Sequence, residues 1–348
     1  MESPRSDRNA FLYGAWYCAG WAHDLGRDMV SRTMLEIPVL LFRKEDGTPV
    51  ATKDECPHRF APLSMGRIQG DRVICGYHGL SFSADGGCDD PRYPEKGRKG
   101  PALRTFPIVE RHNILWIWMG EPAVADPACI PDFGFLQKDE LPKFFGYTHV
   151  NANYQLEADN LLDLSHLDYV HASTIAQDMS RFGAFSVESD GDRVSTSLRA
   201  EGAPMPALWS HYFPGAELAD CWMDVHWRPA SAIVIDTGTK LAGAPRDEAL
   251  GTLQAHFATP ETRYKTHYFW SITTHPALGP NIDLVLQDTL RAFESEDQPM
   301  IEAVQRRMGE DDFWRKGPLI LPADGGGVRA RRILERLIKL EMEAEAMS

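Results

Sequence analysis

Two short segments each carry one cysteine and one histidine at a spacing that suits an iron–sulfur cluster. The first is Cys56-Pro-His58 and the second, sixteen residues later, is Cys75-Gly-Tyr-His78. Such loops can hold a [2Fe–2S] cluster with both thiolates on one iron and both imidazoles on the other, which raises its reduction potential above that of an all-cysteine cluster. Tetrahedral zinc is the competing interpretation, but zinc sites usually pair Cys with Cys and His with His. The mixed spacing predicts the cluster.

A second group of ligand types lies between Asn160 and His171. His166 and His171 are about 140° apart around an ideal helix, so they converge only if the helix widens or ends between them. Asp163 precedes His166 by three residues and stays on its side. Solvated polar residues on an ordinary helix are the competing interpretation. Five apolar neighbours leave few helix faces for water: Leu161, Leu162, Leu164, Leu167 and Val170.

A carboxylate on an apolar helix stripe can complete this second group. In the helix predicted over Ile282–Met308, Asp297 takes a core position of the i, i+3/i+4 stripe. A buried carboxylate is usually paired, protonated or bound to a metal. Asp288 falls about 180° away and is expected to face water. Asp283 is a weaker candidate, because an acid at a helix start already complements the helix dipole.

Together, His166, His171 and Asp297 offer two imidazoles and one carboxylate. This is the ligand set of non-haem Fe(II) oxygenases, and it leaves metal positions open for O₂ and a substrate. A closed four-ligand site would leave none. The chain therefore predicts two metal centres of different kinds.

The elements that must position these residues fall into two regions. Residues 1–130 contain short apolar runs between turn signals, which predicts an all-β domain presenting the cluster loops at one end. A proline-rich passage follows, and residues 131–348 form the second predicted domain. Its strand-like segments are bracketed by helices, which predicts an α+β domain with one antiparallel sheet. The predicted helices are Asn153–Ala172, Ile282–Met308 and Val328–Ala346, and the predicted strands include Val194–Leu198, Ala232–Asp236, Leu253–Ala258 and Thr266–Thr273.

Composition indicates which partners and which compartment to expect for the protein. The 348 residues have a formal net charge of −14, which argues against a nucleic-acid partner. No apolar stretch is long enough to span a bilayer, and the first nine residues are too polar for a signal peptide. The four cysteines outside the cluster segments have no disulfide-like pattern. We therefore expect a cytoplasmic protein with no membrane partner.

On these motifs, the chain resembles the terminal oxygenases of Rieske non-haem iron systems, in the vanillate O-demethylase and dicamba monooxygenase group. The resemblance covers essentially the whole length. Besides the segments above, it is carried by His256-Phe-Ala-Thr-Pro-Glu-Thr, Thr266-His-Tyr-Phe-Trp270 and Glu296-Asp297-Gln-Pro-Met-Ile-Glu-Ala. It implies an N-terminal Rieske [2Fe–2S] domain, a C-terminal helix-grip domain with mononuclear Fe(II), and a head-to-tail homotrimer.

The resemblance also implies roles for individual residues. Asp163 is expected to bridge His166 and the partner subunit's His78, so that electrons cross between protomers. Asn160 is expected to line the iron pocket, although a plain polar helix residue is an equal alternative. His256 is expected to contact substrate, against the alternative of a strand histidine bonded inside the core.

The substrate expectation follows from the same resemblance. At Ile235 and Asp288 the chain departs from dicamba monooxygenase, where an Asn and a Trp are expected, which favours a different aromatic acid. The implied reaction is O₂- and NADH-dependent O-demethylation of a methoxylated aromatic acid such as vanillate. A flavin/[2Fe–2S] reductase or a ferredoxin supplies the electrons. The alternatives are N-demethylation, methyl hydroxylation of an aryl sulfonate, ring dihydroxylation and, least favoured, electron transfer alone.

Overall fold

The computed structural model describes residues 10–88, 90, 103–172, 179–275 and 282–347, which form two compact units. The first unit comprises Tyr13–Asp132 with Pro260–Thr262. The second comprises Phe133–Thr259, the chain from Arg263 onward, and the residues before Tyr13. The first is built of strands and short turns and the second of one large sheet with helices, so the expected α+β class is confirmed.

Three small antiparallel sheets make up the first unit, in the strand orders β1-β9-β8, β2-β3-β4 and β5-β6-β7. The strands are β1 (Trp16–Trp21), β2 (Val30–Met34), β3 (Ile37–Arg43), β4 (Pro49–Lys53), β5 (Arg67–Gln69), β6 (Arg72–Ile74), β7 (Ser81–Phe82), β8 (Ile108–Arg111) and β9 (Ile114–Trp118). Short 3₁₀ turns lie at Ala22–Asp24, Leu63–Met65, Pro122–Val124 and Pro127–Cys129. Both cluster segments occupy connections, one between β4 and β5 and one between β6 and β7. The small strands thus serve to hold two loops.

A seven-stranded sheet dominates the second unit, in the order β10-β16-β15-β14-β13-β12-β11. Its strands are β10 (Lys143–Val150), β11 (Gly183–Asp190), β12 (Arg193–Pro204), β13 (Leu218–Arg228), β14 (Ala232–Leu241), β15 (Leu250–Thr262) and β16 (Lys265–Thr274). The pairings of β10 with β16 and from β11 through β15 are antiparallel. Consecutive strands are neighbours from β11 to β16, and β10 closes the far edge.

Helices cover this sheet. They are α1 (Tyr154–Leu162), α2 (Leu167–Val170), α3 (Met179–Phe182), α4 (Ala207–Ser210), α5 (Ile282–Leu290), α6 (Gln298–Met308), α7 (Phe313–Lys316) and α8 (Gly325–Met347). Seven residues, Arg291–Asp297, form a π-helix between α5 and α6. Further 3₁₀ turns lie at Gly134–Gln137, Arg246–Glu248 and Pro322–Asp324. Among the helices that the structure describes, none combines the length and the apolar character that a membrane crossing requires.

The core lies between the sheet and the helices. Strand alternation sends Val194 and Leu198 of β12 inward, where they join Leu162 of α1, Phe293 of the π-helix and Ala330 of α8. Burial of this common apolar face holds α1 and the π-helix on the sheet, and these two elements carry the second group of candidate ligands.

A glycine near the start of α8 allows this close packing. A Cβ added at Gly326 would lie 2.4 Å from Thr196 Cγ2 and 3.2 Å from Leu162 Cβ. At the neighbouring Gly325, an added Cβ would meet only Val187, at 3.5 Å. We expect Gly326→Ala to lower the free energy of unfolding by about 1–3 kcal/mol through overpacking, and Gly325→Ala to change it by less than about 0.5 kcal/mol. Urea unfolding measures both, and equal stabilities would contradict this packing.

Candidate metal centres

The two cluster loops have the same pattern of backbone hydrogen bonds. In each, the cysteine carbonyl accepts a hydrogen bond from the amide four residues later, from Phe60 to Cys56 at 2.8 Å and from Gly79 to Cys75 at 2.9 Å. Each cysteine amide donates to the carbonyl five residues later, at 2.8 Å in both loops. Phe60 and Gly79 both have positive φ, 60° and 71°. The loops therefore form a local repeat that presents one Cys–His pair each.

Sulfur and nitrogen ligands differ in their exposure. Cys56 and Cys75 are 1% and 2% exposed, and their thiols lie within hydrogen-bonding reach of each other. Burial raises the pKa of the Cys56 thiol, so bound iron would be needed to hold it as a thiolate. His58 and His78 are exposed, with ring centroids 4.6 Å apart. A cluster held here would have its sulfur side inside the unit and its imidazole side at the surface.

The second centre forms where a helix ends. Helix α1 stops at Leu162, so the single helix predicted over Asn153–Ala172 is wrong in its continuity. His166 and His171 flank the one-turn helix α2, and their ring centroids lie 5.1 Å apart. Helix α2 ends at Val170, between the two histidines, as their five-residue spacing requires, and both histidines lie beside the buried Asp297.

These three side chains form a ligand set for one metal ion. His171 Nε2 lies 3.1 Å from Asp297 Oδ2, and His166 Nε2 lies 3.7 Å from Asp297 Oδ1. All three ligand atoms lie within 4.8 Å of one another. Two imidazole nitrogens and one carboxylate oxygen suit non-haem Fe(II) and leave positions open.

Hydrogen bonds at the other ring nitrogens fix how the histidines point. His166 Nδ1 donates to the backbone carbonyl of Asp163, and His171 Nδ1 donates to Glu296 Oε2 at 2.8 Å. Because a carbonyl and a carboxylate only accept, these contacts place the ring hydrogens on Nδ1. Both Nε2 lone pairs are then available to a metal.

Asn160 and Asp163 form hydrogen bonds next to the candidate ligands. Asn160 Nδ2 donates to Asp297 Oδ1 at 3.1 Å and so orients the ligand carboxylate. The Asp163 carboxylate accepts from Ser165, at 2.8 Å from its amide and 2.6 Å from its hydroxyl. Only the backbone carbonyl of Asp163 contacts His166. The proposed bridge between protomers involves a second chain and stays a prediction.

Glu296 is a positioning residue that the sequence reasoning did not assign, although it stands beside Asp297. We expect Glu296→Ala to weaken binding of ferrous iron about 10- to 100-fold, because loss of such an orienting carboxylate typically has this effect. Glu296→Gln keeps an acceptor for His171 and should be milder. The exposed Glu294 on the same π-helix provides the control, Glu294→Ala. Iron titration with unchanged cluster absorbance measures the effect, and equal affinities in the two alanine variants would contradict the role.

A cavity opens beside the three ligands. Its lining atoms surround about 880 Å³ of space that is partly open to solvent. Besides His166, His171 and Asp297, the wall is mainly apolar and includes Leu161, Leu164, Leu167, Trp209, Trp222, Met223, Ile235, Val285 and Phe293. The candidate iron site therefore faces a pocket suited to an aromatic molecule.

Asp288 also lines this cavity, so the expectation that it faces water is wrong. That expectation assumed α-helical geometry throughout Ile282–Met308. A residue in a π turn rotates by less than the 100° of an α-helix, so the seven residues Arg291–Asp297 change the phase by roughly a third of a turn. This change brings Asp288 toward the face that carries Asp297.

His256 is held inside the unit by both ring nitrogens. Its side chain is fully buried, with Nδ1 2.6 Å from the Tyr268 hydroxyl and Nε2 3.1 Å from Gln254 Oε1. Burial lowers the pKa of His256 to about 3, because water no longer stabilises the imidazolium. Gln254 lines the cavity, whereas His256 is not among the residues of the cavity wall.

This burial predicts acid sensitivity. Between its ordinary pKa of 6.5 and the folded value of about 3, His256 binds a proton only in the unfolded chain. The free energy of unfolding should therefore fall as pH decreases below 6.5, by up to about 1.4 kcal/mol per pH unit. In urea unfolding between about pH 7 and 5, His256→Gln should reduce this slope by that amount. Identical slopes for the two proteins would contradict the assignment.

Comparison with known proteins agrees with both centres. The Rieske [2Fe-2S] domain family matches residues 15–107, and the vanillate O-demethylase oxygenase C-terminal domain family matches residues 150–340. The oxygenase component of dicamba O-demethylase from Stenotrophomonas maltophilia is 34% identical over 95% of this chain and 99% of its own length. The chain therefore belongs to the Rieske non-haem iron oxygenases of the vanillate O-demethylase and dicamba monooxygenase group.

Other relatives match this chain over most of its length. The vanillate O-demethylase oxygenase subunit of a Pseudomonas species is 35% identical over 88% of this chain and 96% of its own. The oxygenase component of chloroacetanilide N-alkylformylase from Rhizorhabdus wittichii is 33% identical over 95% and 97%. The crystal structure of dicamba monooxygenase bound to dicamba superposes with a TM-score of 0.85, at 34% identity and covering 96% and 99% of the two chains.

Proposed function

We propose that this chain is the terminal oxygenase of a monooxygenase system that oxidatively demethylates an aromatic substrate. The observation that carries the proposal is the presence of both the cluster loops and the set His166, His171 and Asp297 in one chain. The second set faces an apolar cavity. A flavin/[2Fe–2S] reductase or a ferredoxin delivers NADH electrons, and the enzyme works in the cytoplasm. The O-methyl group of a methoxylated aromatic acid is the substrate group expected from sequence, and an N-methyl group is the alternative.

Both substrates undergo the same change. One atom of O₂ enters a methyl C–H bond, and the resulting hydroxymethyl group leaves as formaldehyde, which frees a phenol or an amine. The other oxygen atom becomes water with two electrons and two protons. Iron held by His166, His171 and Asp297 would supply the activation of O₂. Asn160 and Glu296 keep these ligands oriented, and the apolar wall excludes bulk water.

The exposed side of the cluster loops supports the homotrimer. Phe60, Met65 and Tyr77 are large apolar residues exposed around His58 and His78. Tyr169, between the two iron-ligand histidines in sequence, is 85% exposed. Exposed large apolar side chains are common at interaction sites. We propose that each cluster edge docks beside another protomer's iron site, with Asp163 as the bridge.

Substrate screening with the chain and an electron donor tests the function. Methoxylated benzoates, aryl sulfonates and N-methyl aromatics are supplied singly, while NADH and O₂ consumption and formaldehyde are measured. Formaldehyde in proportion to O₂ consumed, with one atom of labelled O₂ in the organic products, supports demethylation. Two labelled atoms in the organic product would indicate dihydroxylation instead, and about two irons per chain rather than three would indicate an electron carrier.

A further inference from the structure

Outside the iron site, the described cavity wall carries a negative side-chain charge and no positive one. Apart from the three iron ligands, Asp288 is the charged residue of the described cavity wall. Among the residues that the structure describes, no lysine or arginine lines the cavity. Arg246 stacks on the Trp222 ring at 3.3 Å and lies 3.9 Å from Asp236, but it is not part of the wall. A bound anion would therefore meet no basic side chain among the described residues of the wall.

Gln254 and Thr252 are neutral polar residues of the cavity wall, and a chain of hydrogen bonds fixes the orientation of Gln254. The Tyr268 hydroxyl donates to His256 Nδ1, and the low pKa keeps this histidine neutral, so its hydrogen lies on Nε2 and is donated to Gln254 Oε1. Gln254 Nε2 donates to Thr252 Oγ1 at 2.9 Å. The amide is thereby fixed, and its second N–H is left for an acceptor in the cavity that Gln254 lines.

Burial of a substrate carboxylate here is costly. Away from the iron that His166, His171 and Asp297 would hold, an anion that leaves water needs another cation or several donors, and a nearby like charge adds repulsion. The wall offers the Gln254 amide as a donor but places the Asp288 carboxylate in the same cavity. Among the residues that the structure describes, Asp288 has no ion-pair partner, and its carboxylate lines the cavity.

We propose that the aromatic substrate is uncharged or carries a basic nitrogen, with Asp288 facing its cationic or donor group and Gln254 its acceptor atom. This inference rests on the proposed demethylation and narrows its substrate class away from aromatic acids. Asp288 and Gln254 are then specificity-determining residues. The methyl group that is removed can be an N-methyl or an O-methyl group, because the charge preference concerns the other substituents of the ring.

Three probes of similar shape test the charge preference: para-methoxybenzoate, para-methoxybenzamide and para-methoxybenzylamine. Calorimetric binding to the iron-loaded chain should favour the amide or the amine over the benzoate by at least about tenfold. Asp288→Asn should reduce the amine-to-benzoate affinity ratio about tenfold, and Gln254→Leu should weaken the amide. Asp283→Asn, on the exposed start of the same helix, is the matched control and should leave the ratio unchanged.

Tightest binding of the benzoate by the unaltered protein would overturn the inference, even if a variant fails to fold. An unchanged ratio in a folded Asp288→Asn protein would do the same. Formaldehyde release tests the proposed function separately. Binding in the expected order without formaldehyde from any probe would contradict demethylation and support the charge preference, whereas fastest demethylation of the benzoate would support demethylation and overturn the preference.

Discussion

Asp297→Ala is expected to abolish mononuclear iron binding while the [2Fe–2S] cluster remains. Iron content should fall from about three to about two per chain, because the ligand set loses its carboxylate. Turnover should fall by about a thousandfold or more, since O₂ activation needs this iron. Iron analysis, the visible spectrum of the cluster and formaldehyde release measure the three effects.

Glu294→Ala, on the same π-helix but exposed, is the control for this variant and should keep all three properties. Asp297→Asn provides a second comparison, because it retains an oxygen that can still face Asn160 Nδ2. A ferrous signal in Asp297→Ala equal to that of the unaltered protein would contradict the assignment of this ligand.

Asp163→Asn is expected to leave both metal centres occupied and to lower turnover about a hundredfold or more. The asparagine oxygen can still accept from Ser165, so the connection between α1 and α2 should keep its shape. What the variant loses is the negative charge proposed to join the imidazoles of two protomers. Stopped-flow measurement should show normal reduction of the cluster by its donor and slow reoxidation with substrate and O₂.

Ser165→Ala separates this role from a local structural one. It removes the hydroxyl bond to Asp163 at 2.6 Å but keeps the carboxylate. We expect turnover within about threefold of the unaltered protein, since the Asp163 carboxylate and its bond from the Ser165 amide remain and one lost hydrogen bond is worth about 1 kcal/mol. Similar losses in both variants, or full activity of Asp163→Asn, would remove the bridge assignment.

Sequence reasoning could identify the candidate metal ligands because ligand chemistry restricts residue type and spacing. Mixed Cys–His pairs exclude most zinc patterns, and His166 and His171 converge only if a helix ends between them, as α2 does at Val170. The carboxylate at Asp297 was identifiable because a charge in an apolar stripe needs a partner. These are local constraints, so one sequence contains them.

The cavity wall was harder to predict because it depends on helix phase and on long-range contacts. The π-helix brings Asp288 to the cavity, and nothing in an α-helical projection shows that change. Gln254 and His256 alternate along β15, yet their roles depend on Tyr268 of the neighbouring strand. Glu296 stands next to a ligand, but only the folded structure shows its contact with His171.

The π-helix Arg291–Asp297, which has the wider register of π-type hydrogen bonds, also couples metal affinity to the hydrogen-bonding pattern of the helix. Return of this segment to α-helical hydrogen bonding would rotate Asp297 relative to α5 and separate it from the two imidazoles. Ferrous iron therefore stabilises the wide register, and by thermodynamic reciprocity anything that stabilises the wide register tightens iron by the same factor. Deletion of a single residue there would act on metal loading through helical rotation, with every ligand still present in the chain.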